Sequence, residues 1–165
     1  MEDIHINWSG PFSLDQVLTL RNEYDYGLYQ YYGGHPVYGQ NVLLYIGSAT
    51  KQSFGKRLSQ HNYDIWSSSV VQIYLGKLYN DVPLEINLAR QRICLAESIL
   101  LFSHSPAFNS SNLNCMKDIT RDVRVLNWGK RNSLLPEVSI SRWDGGLTVG
   151  HNIPNSLRQV SFITS

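Results

Sequence analysis

Glu97 lies in the run "PLEINLARQRICLAESILLFSH", and on a helical wheel it falls in the same arc as Ala89, Ile93, Cys94, Ala96, Leu100 and Leu101. A carboxylate that points with an apolar stripe carries a large desolvation penalty unless a cation, a set of hydrogen bonds or a metal ion compensates it. Arg90 shares that face, so a structural ion pair is the plain alternative. Arg57 and His61 stand four residues apart in "FGKRLSQHNY" and share a helix face. A guanidinium brings permanent charge and forked donors, and an imidazole moves a proton near neutral pH, so the two together suit a phosphate. A solvent-facing arginine beside a packing histidine fits the same spacing. Seven of the ten tyrosines lie between Tyr24 and Tyr45. Two of them, Tyr29 and Tyr45, each stand close to a glycine, Gly27 and Gly47, that allows close backbone approach. A phenol, with an ordinary pKa of about 10, acts as a base only where positive charge lowers that value. Arg57, Lys51 or a divalent cation could supply the charge, and plain cross-strand packing explains the pair as well.

These side chains need elements to hold them. Residues 1–25 read as a lead-in, with a turn at "WSGPFS" and Ser13 capping a short helix that carries Leu14, Val17 and Leu18. "YGLYQYY" and "NVLLYIG" have the aromatic and branched content of two hairpin strands, and the intervening "GGHPVYGQ" is longer than a tight turn. The spacing of Phe54, Leu58 and His61 predicts a helix over 53–62, and "SSSVVQIYLGKL" predicts a third strand over 69–76. The longest helix is expected over 83–104, with Pro83 in its first turn. Residues 26–115 form the core in this reading. Residues 116–165 form an extension packed on it, with turns at "NWGKRN", "RWDGG" and "HNIPN" and room for short strands.

Composition narrows the function classes. A chain of 165 residues that is 42% hydrophobic and 16% charged fits one ordered globular unit. Fourteen basic residues against thirteen acidic give a net charge of +1, so a nucleic-acid contact must come from local clusters. Lys51/Lys56/Arg57, Arg90/Arg92, Arg121/Arg124 and Lys130/Arg131 are such clusters. Cys94 and Cys115 have no CxxC spacing, which points away from a disulfide framework or a zinc site and towards a reducing cytoplasm. No run of eighteen apolar residues occurs, and "MEDIHINWSG" lacks a signal-peptide core, so no membrane partner is expected.

Taken in order, the elements resemble the GIY-YIG nuclease superfamily, whose members include homing endonucleases, some restriction enzymes and the incision subunit of bacterial nucleotide-excision repair. "GLY" at 27–29 stands for the first half-motif, with leucine for isoleucine, and "YIG" at 45–47 is intact. Arg57, His61 and Glu97 match the family's arginine, histidine and acidic helix residue. "ESILLFSHSPAFN" resembles its run from that glutamate to a proline and asparagine, which makes Asn109 the corresponding residue. The resemblance covers roughly residues 26–109. Fifteen residues separate the half-motifs, at the long end for the family, and the chain after residue 115 matches no part of it.

The resemblance implies an α/β fold of the α+β type: a small three-stranded, mainly antiparallel sheet flanked by helices, with a C-terminal extension. It also implies a metal-dependent endonuclease that hydrolyses phosphodiester bonds in DNA, as a restriction or defence enzyme, with RNA not excluded. Glu97 would hold one Mg²⁺, with Mn²⁺ as substitute, and Arg57 would steady the phosphoryl oxygens. Tyr29 would be the general base, Tyr45 would position the water or share its proton, and His61 would relay a proton or contact phosphate. Lys51, Lys56 and Asn109 would bind substrate, Asn109 alternatively fixing the loop after the helix. The other five tyrosines of the cluster would pack or line the nucleic-acid surface. The competing reading is a nuclease-fold module that binds nucleic acid or a protein without cutting; a homodimer or a partner subunit would relieve the shortage of positive charge. Arg124, Lys130, Arg131, Arg142 and Trp143 are the tail residues suited to substrate or partner contacts.

Overall fold

The computed structural model describes residues 2–60, 71–80, 84–110 and 122–139. The chain opens with β1 (Glu2–Phe12), in which Ile4, Ile6 and Trp8 are buried while Asn7 and Ser9 between and after them are exposed. That is the period-2 pattern of a strand with one covered face. A capping box then starts α1 (Leu14–Leu18): Ser13 Oγ accepts from Gln16 N–H and the Gln16 side chain accepts from Ser13 N–H. The tyrosine-rich segment forms the hairpin β2 (Gly27–His35) and β3 (Gly39–Ala49), followed by α2 (Phe54–Leu58) and β4 (Gln72–Leu78). Next comes α3 (Ile86–His104), whose first turn is capped by the Glu85 carboxylate, and then β5 (Val123–Gly129) and β6 (Glu137–Ser139).

All six strands join one sheet in the order β3-β2-β4-β1-β5-β6. Only the β1/β5 pair is parallel; every other pair is antiparallel. The sheet curls into a half-barrel and has an apolar layer on each side. On one side α3 lays Ile93, Ala96, Ile99 and Leu100 against Ile4, Ile6, Leu28, Ile46 and Val125. On the other, α1 and α2 bring Val17, Phe54 and Leu58 onto Tyr29, Tyr31, Leu44, Ile73 and Leu75. Strand β2 is therefore buried on both faces from Gly27 to Gly34, and its tyrosines divide between the two layers.

This corrects the expected α/β core with a small three-stranded, mainly antiparallel sheet flanked by helices. The three expected strands do lie together as β3-β2-β4, but β1 continues the sheet beyond β4 and β5 and β6 extend it further. The reason is backbone satisfaction: the outer edge of β4 would present unpaired N–H and C=O groups, and β1 covers it. The hairpin connection is also shorter than expected, because ladder pairing runs to His35 and Gly39 and leaves only residues 36–38 between. Both helices are shorter than expected, α2 ending at Leu58 and α3 beginning at Ile86.

Candidate active site

Tyr29 is fully buried on the α1/α2 side of β2 and pairs across the ladder with Gly47. A Cβ at Gly47 would lie 2.5 Å from both Cζ and Oη of Tyr29, so the phenol occupies the space of the missing side chain. Gly27, two residues before Tyr29, has φ +150°, and a Cβ there would collide with the Gly76 carbonyl oxygen. Glycine thus lets β2 lie close against β4 while β3 leaves room for the ring. Tyr45 packs beside Tyr29 with centroids 6.1 Å apart and an interplanar angle of 20°, and Tyr31 closes a triangle at 5.4 Å and 6.0 Å. Tyr45 is only partly buried and is the more accessible phenol of the pair.

Arg57 comes from the last turn of α2, a helix too short to stand alone. Its position depends on two backbone hydrogen bonds, Phe54 N–H to the Asp25 carbonyl at 2.7 Å and Gly55 N–H to the Leu20 carbonyl at 2.8 Å. The guanidinium charge acts on the phenol oxygens of both Tyr29 and Tyr45, and the two phenols act on each other. Arg57 Nε is buried and makes no hydrogen bond among the described residues.

Glu97 reaches the same place from α3, on the other side of the sheet. Ser48 follows the "YIG" glycine and turns its hydroxyl towards α3, where Oγ donates to Glu97 Oε2 at 2.7 Å. Arg90 instead directs Nε to the Thr50 carbonyl at 2.9 Å, and no ion pair between Arg90 and Glu97 occurs among the described residues. The plain ion-pair alternative is thereby removed. Burial pushes the Glu97 carboxyl above its ordinary range, against the Ser48 hydrogen bond and the Arg57 charge. Burial likewise raises both phenols. For Tyr29 the neighbouring Tyr45 adds to the rise and Arg57 opposes it; for Tyr45 the Glu97 charge adds, while Arg57 and the Tyr29 hydroxyl oppose.

Asn109 behaves like an added strand residue. Its Oδ1 accepts from Ile46 N–H and its Nδ2 donates to the Ile46 carbonyl, both at 2.9 Å, which pins the loop after α3 to the outer edge of β3. Of the two roles expected for Asn109, fixing the loop is the one the hydrogen bonds serve. Lys51 is exposed and helps line a cleft of about 270 Å³ with Ser48, Ala49, Thr50, Gln52 and Arg57. Lys56 is exposed on α2 and is not among the residues lining that cleft. His61 lies outside the described residues.

The structure thus gathers Tyr29, Tyr45, Arg57 and Glu97, four of the five residues singled out as catalytic. Sequence reasoning missed Ser48, although strand alternation carried the signal: if Gly47 faces the phenols, Ser48 faces the long helix. As a metal centre, the site offers one carboxylate. No group of three or more His, Cys, Asp or Glu that could hold a metal ion occurs among the described residues. The Ser48 hydroxyl engages Oε2 of Glu97, and the Ser48 backbone adds to its hold on the carboxylate. A single carboxylate hydrogen-bonded to Ser48, which lines the cleft, suits Mg²⁺, which keeps several waters and shares its shell with substrate phosphate.

No protein-family model, curated protein sequence or solved structure matches the chain.

Proposed function

We propose that this chain is a divalent-metal-dependent endonuclease of the GIY-YIG type, hydrolysing phosphodiester bonds in DNA. The observation that carries the reading is the convergence of Tyr29, Tyr45, Arg57 and Glu97 near the β3 edge from four separate elements and both sides of the sheet. Packing alone has no use for a half-buried carboxylate, a guanidinium whose Nε is unpartnered among the described residues and two phenols in one place.

In this reading Glu97, steadied by Ser48, holds the divalent ion. When bound, that ion supplies Lewis-acid charge to the phosphoryl and leaving oxygens and offsets the carboxylate charge that opposes phenolate formation. Arg57 lines the cleft and takes the charge that grows on the phosphoryl oxygens. The two tyrosines divide the role first given to Tyr29. Tyr45 is the accessible phenol and meets the attacking water; Tyr29, fully buried and packed beside it, favours its deprotonated form. Lys51 guides the backbone into the cleft. A homodimer or a partner subunit would supply the phosphate contacts that a net charge of +1 lacks. No helix among the described residues is long and apolar enough to cross a membrane. We place the chain in the cytoplasm, where the exposed free thiol of Cys94 is at home.

The test is cleavage of supercoiled plasmid and of RNA with Mg²⁺, Mn²⁺ or EDTA. Glu97→Gln is expected to abolish the metal-dependent products, and Arg57→Ala to slow them by roughly 100- to 1,000-fold. Cleavage by both variants at the wild-type rate would refute the site. Binding of nucleic acid without cutting would favour the non-cleaving module instead.

A further inference from the structure

A second cavity lies on the same face of the sheet as the phenols, three strands away. It measures about 400 Å³, a size that suits a small organic ligand, and among the described residues it is lined by His5, Asn7, Tyr79 and Trp128. Strand register fixes its face. Asn7 pairs with Lys77 on one side and with Trp128 on the other, and Lys77 stands two residues after Leu75, the partner of Tyr29. Directly paired residues and i, i+2 neighbours share a face, so Tyr29, Leu75, Lys77, Asn7 and Trp128 all project to the same side. With strands about 4.8 Å apart, β2 and β5 are separated by roughly 15 Å.

The lining has the chemistry of a base-stacking surface. Trp128 donates its indole N–H to His5 Nδ1 at 3.1 Å, and the two rings are inclined by only 10° with centroids 6.1 Å apart. Because an indole N–H lies in the ring plane, that bond sets the rings side by side as one flat plate. Tyr79 is held next to it by a hydrogen bond from its N–H to the His5 carbonyl at 2.9 Å. Trp128 keeps 53% of its surface in solvent and Tyr79 59%. Trp128 and Tyr79 together form an exposed aromatic patch of the kind that marks a binding surface. Asn7 adds an amide with both donors and an acceptor at the cavity wall, and cations flank it: half-exposed Lys77 across the ladder, ion-paired to Asp25 at 3.1 Å, and exposed Lys130 two residues beyond Trp128.

We infer that this cavity is a subsite for an unpaired nucleobase, stacked on the Trp128/His5 plate and held at its edge by Asn7, on a nucleic-acid strand that also reaches the cleft at Arg57. The inference rests on the nuclease reading for its substrate class and deepens it: the preferred substrate carries single-stranded character near the cut. Ser48 and Ala49 of the cleft sit one strand further out, on β3, so about four strand spacings, roughly 19 Å, separate them from β5. That distance corresponds to about five or six nucleotides at 3.4 Å each along one strand. Flat aromatic groups with flanking cations are the means by which single strands are held without duplex geometry.

The test is fluorescence-anisotropy binding of a short fluorescein-labelled single-stranded DNA to the full chain in EDTA. The same oligonucleotide made abasic along its length serves as a probe of equal charge. Trp128→Ala is expected to weaken binding of the base-containing strand roughly tenfold or more, with Trp128→Phe recovering most of the loss. The abasic strand should bind weakly and respond to neither variant. Equal binding of the two strands by wild type, or no effect of Trp128→Ala, overturns the subsite. So does a change in oligomeric state on Trp128→Ala by light scattering, which would assign the plate to a second copy of the chain. Because no cutting is involved, a protein that binds bases but never cleaves keeps the subsite and loses the nuclease reading. One that cleaves with Trp128→Ala unimpaired in binding does the reverse.

Discussion

Tyr29 and Tyr32 lie three residues apart on one strand, face opposite sides of the sheet and occupy surroundings different in kind. Tyr32 donates to Gln30 Oε1 at 2.8 Å, sits 2.8 Å from Ser133 Oγ and accepts from Ser133 N–H. Nearby, Trp8 Nε1 donates to Asn127 Oδ1, and Asn127 Nδ2 donates to the Leu135 carbonyl, both at 2.9 Å. These partners are neutral and their hydrogen-bonding capacity is used, so the network fastens β1, β2 and β5 to the segment before β6. Tyr29 packs against a second phenol and feels the charges of a guanidinium and a carboxylate, and Arg57 Nε makes no hydrogen bond among the described residues. Two buried polar clusters thus grow from one run of tyrosines: one is complete as it stands, while the other holds charges that gain from a further ligand.

Removing one hydroxyl from each cluster tests that division most severely. Tyr29→Phe is expected to cost roughly 100-fold in cleavage rate, because the support Tyr29 gives Tyr45 in the proton transfer is lost. Tyr32→Phe should leave the rate within a few fold and cost about 1–3 kcal/mol in urea unfolding, since fully buried Gln30 is left with a missing partner. The opposite pattern would exchange the roles of the two clusters.

A milder change displaces the phenol without deleting it. Gly47→Ala puts a methyl 2.5 Å from the Tyr29 ring, so the ring must move. A shift on the scale of an ångström in a positioned group slows catalysis roughly 10- to 100-fold. The expected readout is a fall in kcat with KM nearly unchanged. An unaltered kcat would show that the Tyr29 position is immaterial to the reaction.

Much of this site was legible in the sequence because its signals are local. Glu97 could be placed on the covered face of α3 from periodicity alone, and the half-motif glycines marked where β2 and β3 approach closely. The larger sheet was not legible in the same way. "DIHINWS" carries a clear alternation of Ile4, Ile6 and Trp8 with polar residues, but nothing local says that its partners are Leu78 on one side and Val125 on the other. Parallel pairing of β1 with β5 spans more than a hundred residues, and such pairing leaves only a strand pattern at each end. The Trp128 plate was hidden for the same reason, since His5 and Trp128 come together only through that pairing. Ser48 was missed although alternation alone assigns its face, because serine after a glycine reads first as a turn.

The smallest expected effect separates the clusters by titration. Burial raises the Glu97 carboxyl above its ordinary value near 4.5, so between that value and the raised one the folded chain holds a proton that the unfolded chain has released. Stability contributed by this group is therefore present in full below the unfolded value and is lost as pH rises through the folded one. Glu97→Gln has no such proton to lose, and its amide oxygen can still accept from Ser48. The melting temperature of Glu97→Gln relative to wild type should thus rise as pH is raised from about 4 to 7, measured in EDTA by calorimetry. Tyr32→Phe should show a constant deficit across the same window, because the Tyr32 phenol is raised from an already high value and stays protonated throughout. Adding Mg²⁺ should close the gap at neutral pH, since an ion that binds only the folded wild type stabilises it and leaves Glu97→Gln unchanged. A gap that stays flat with pH would mean that burial does not strain this carboxylate. A gap that opens with pH but ignores Mg²⁺ would keep the strain and remove the metal.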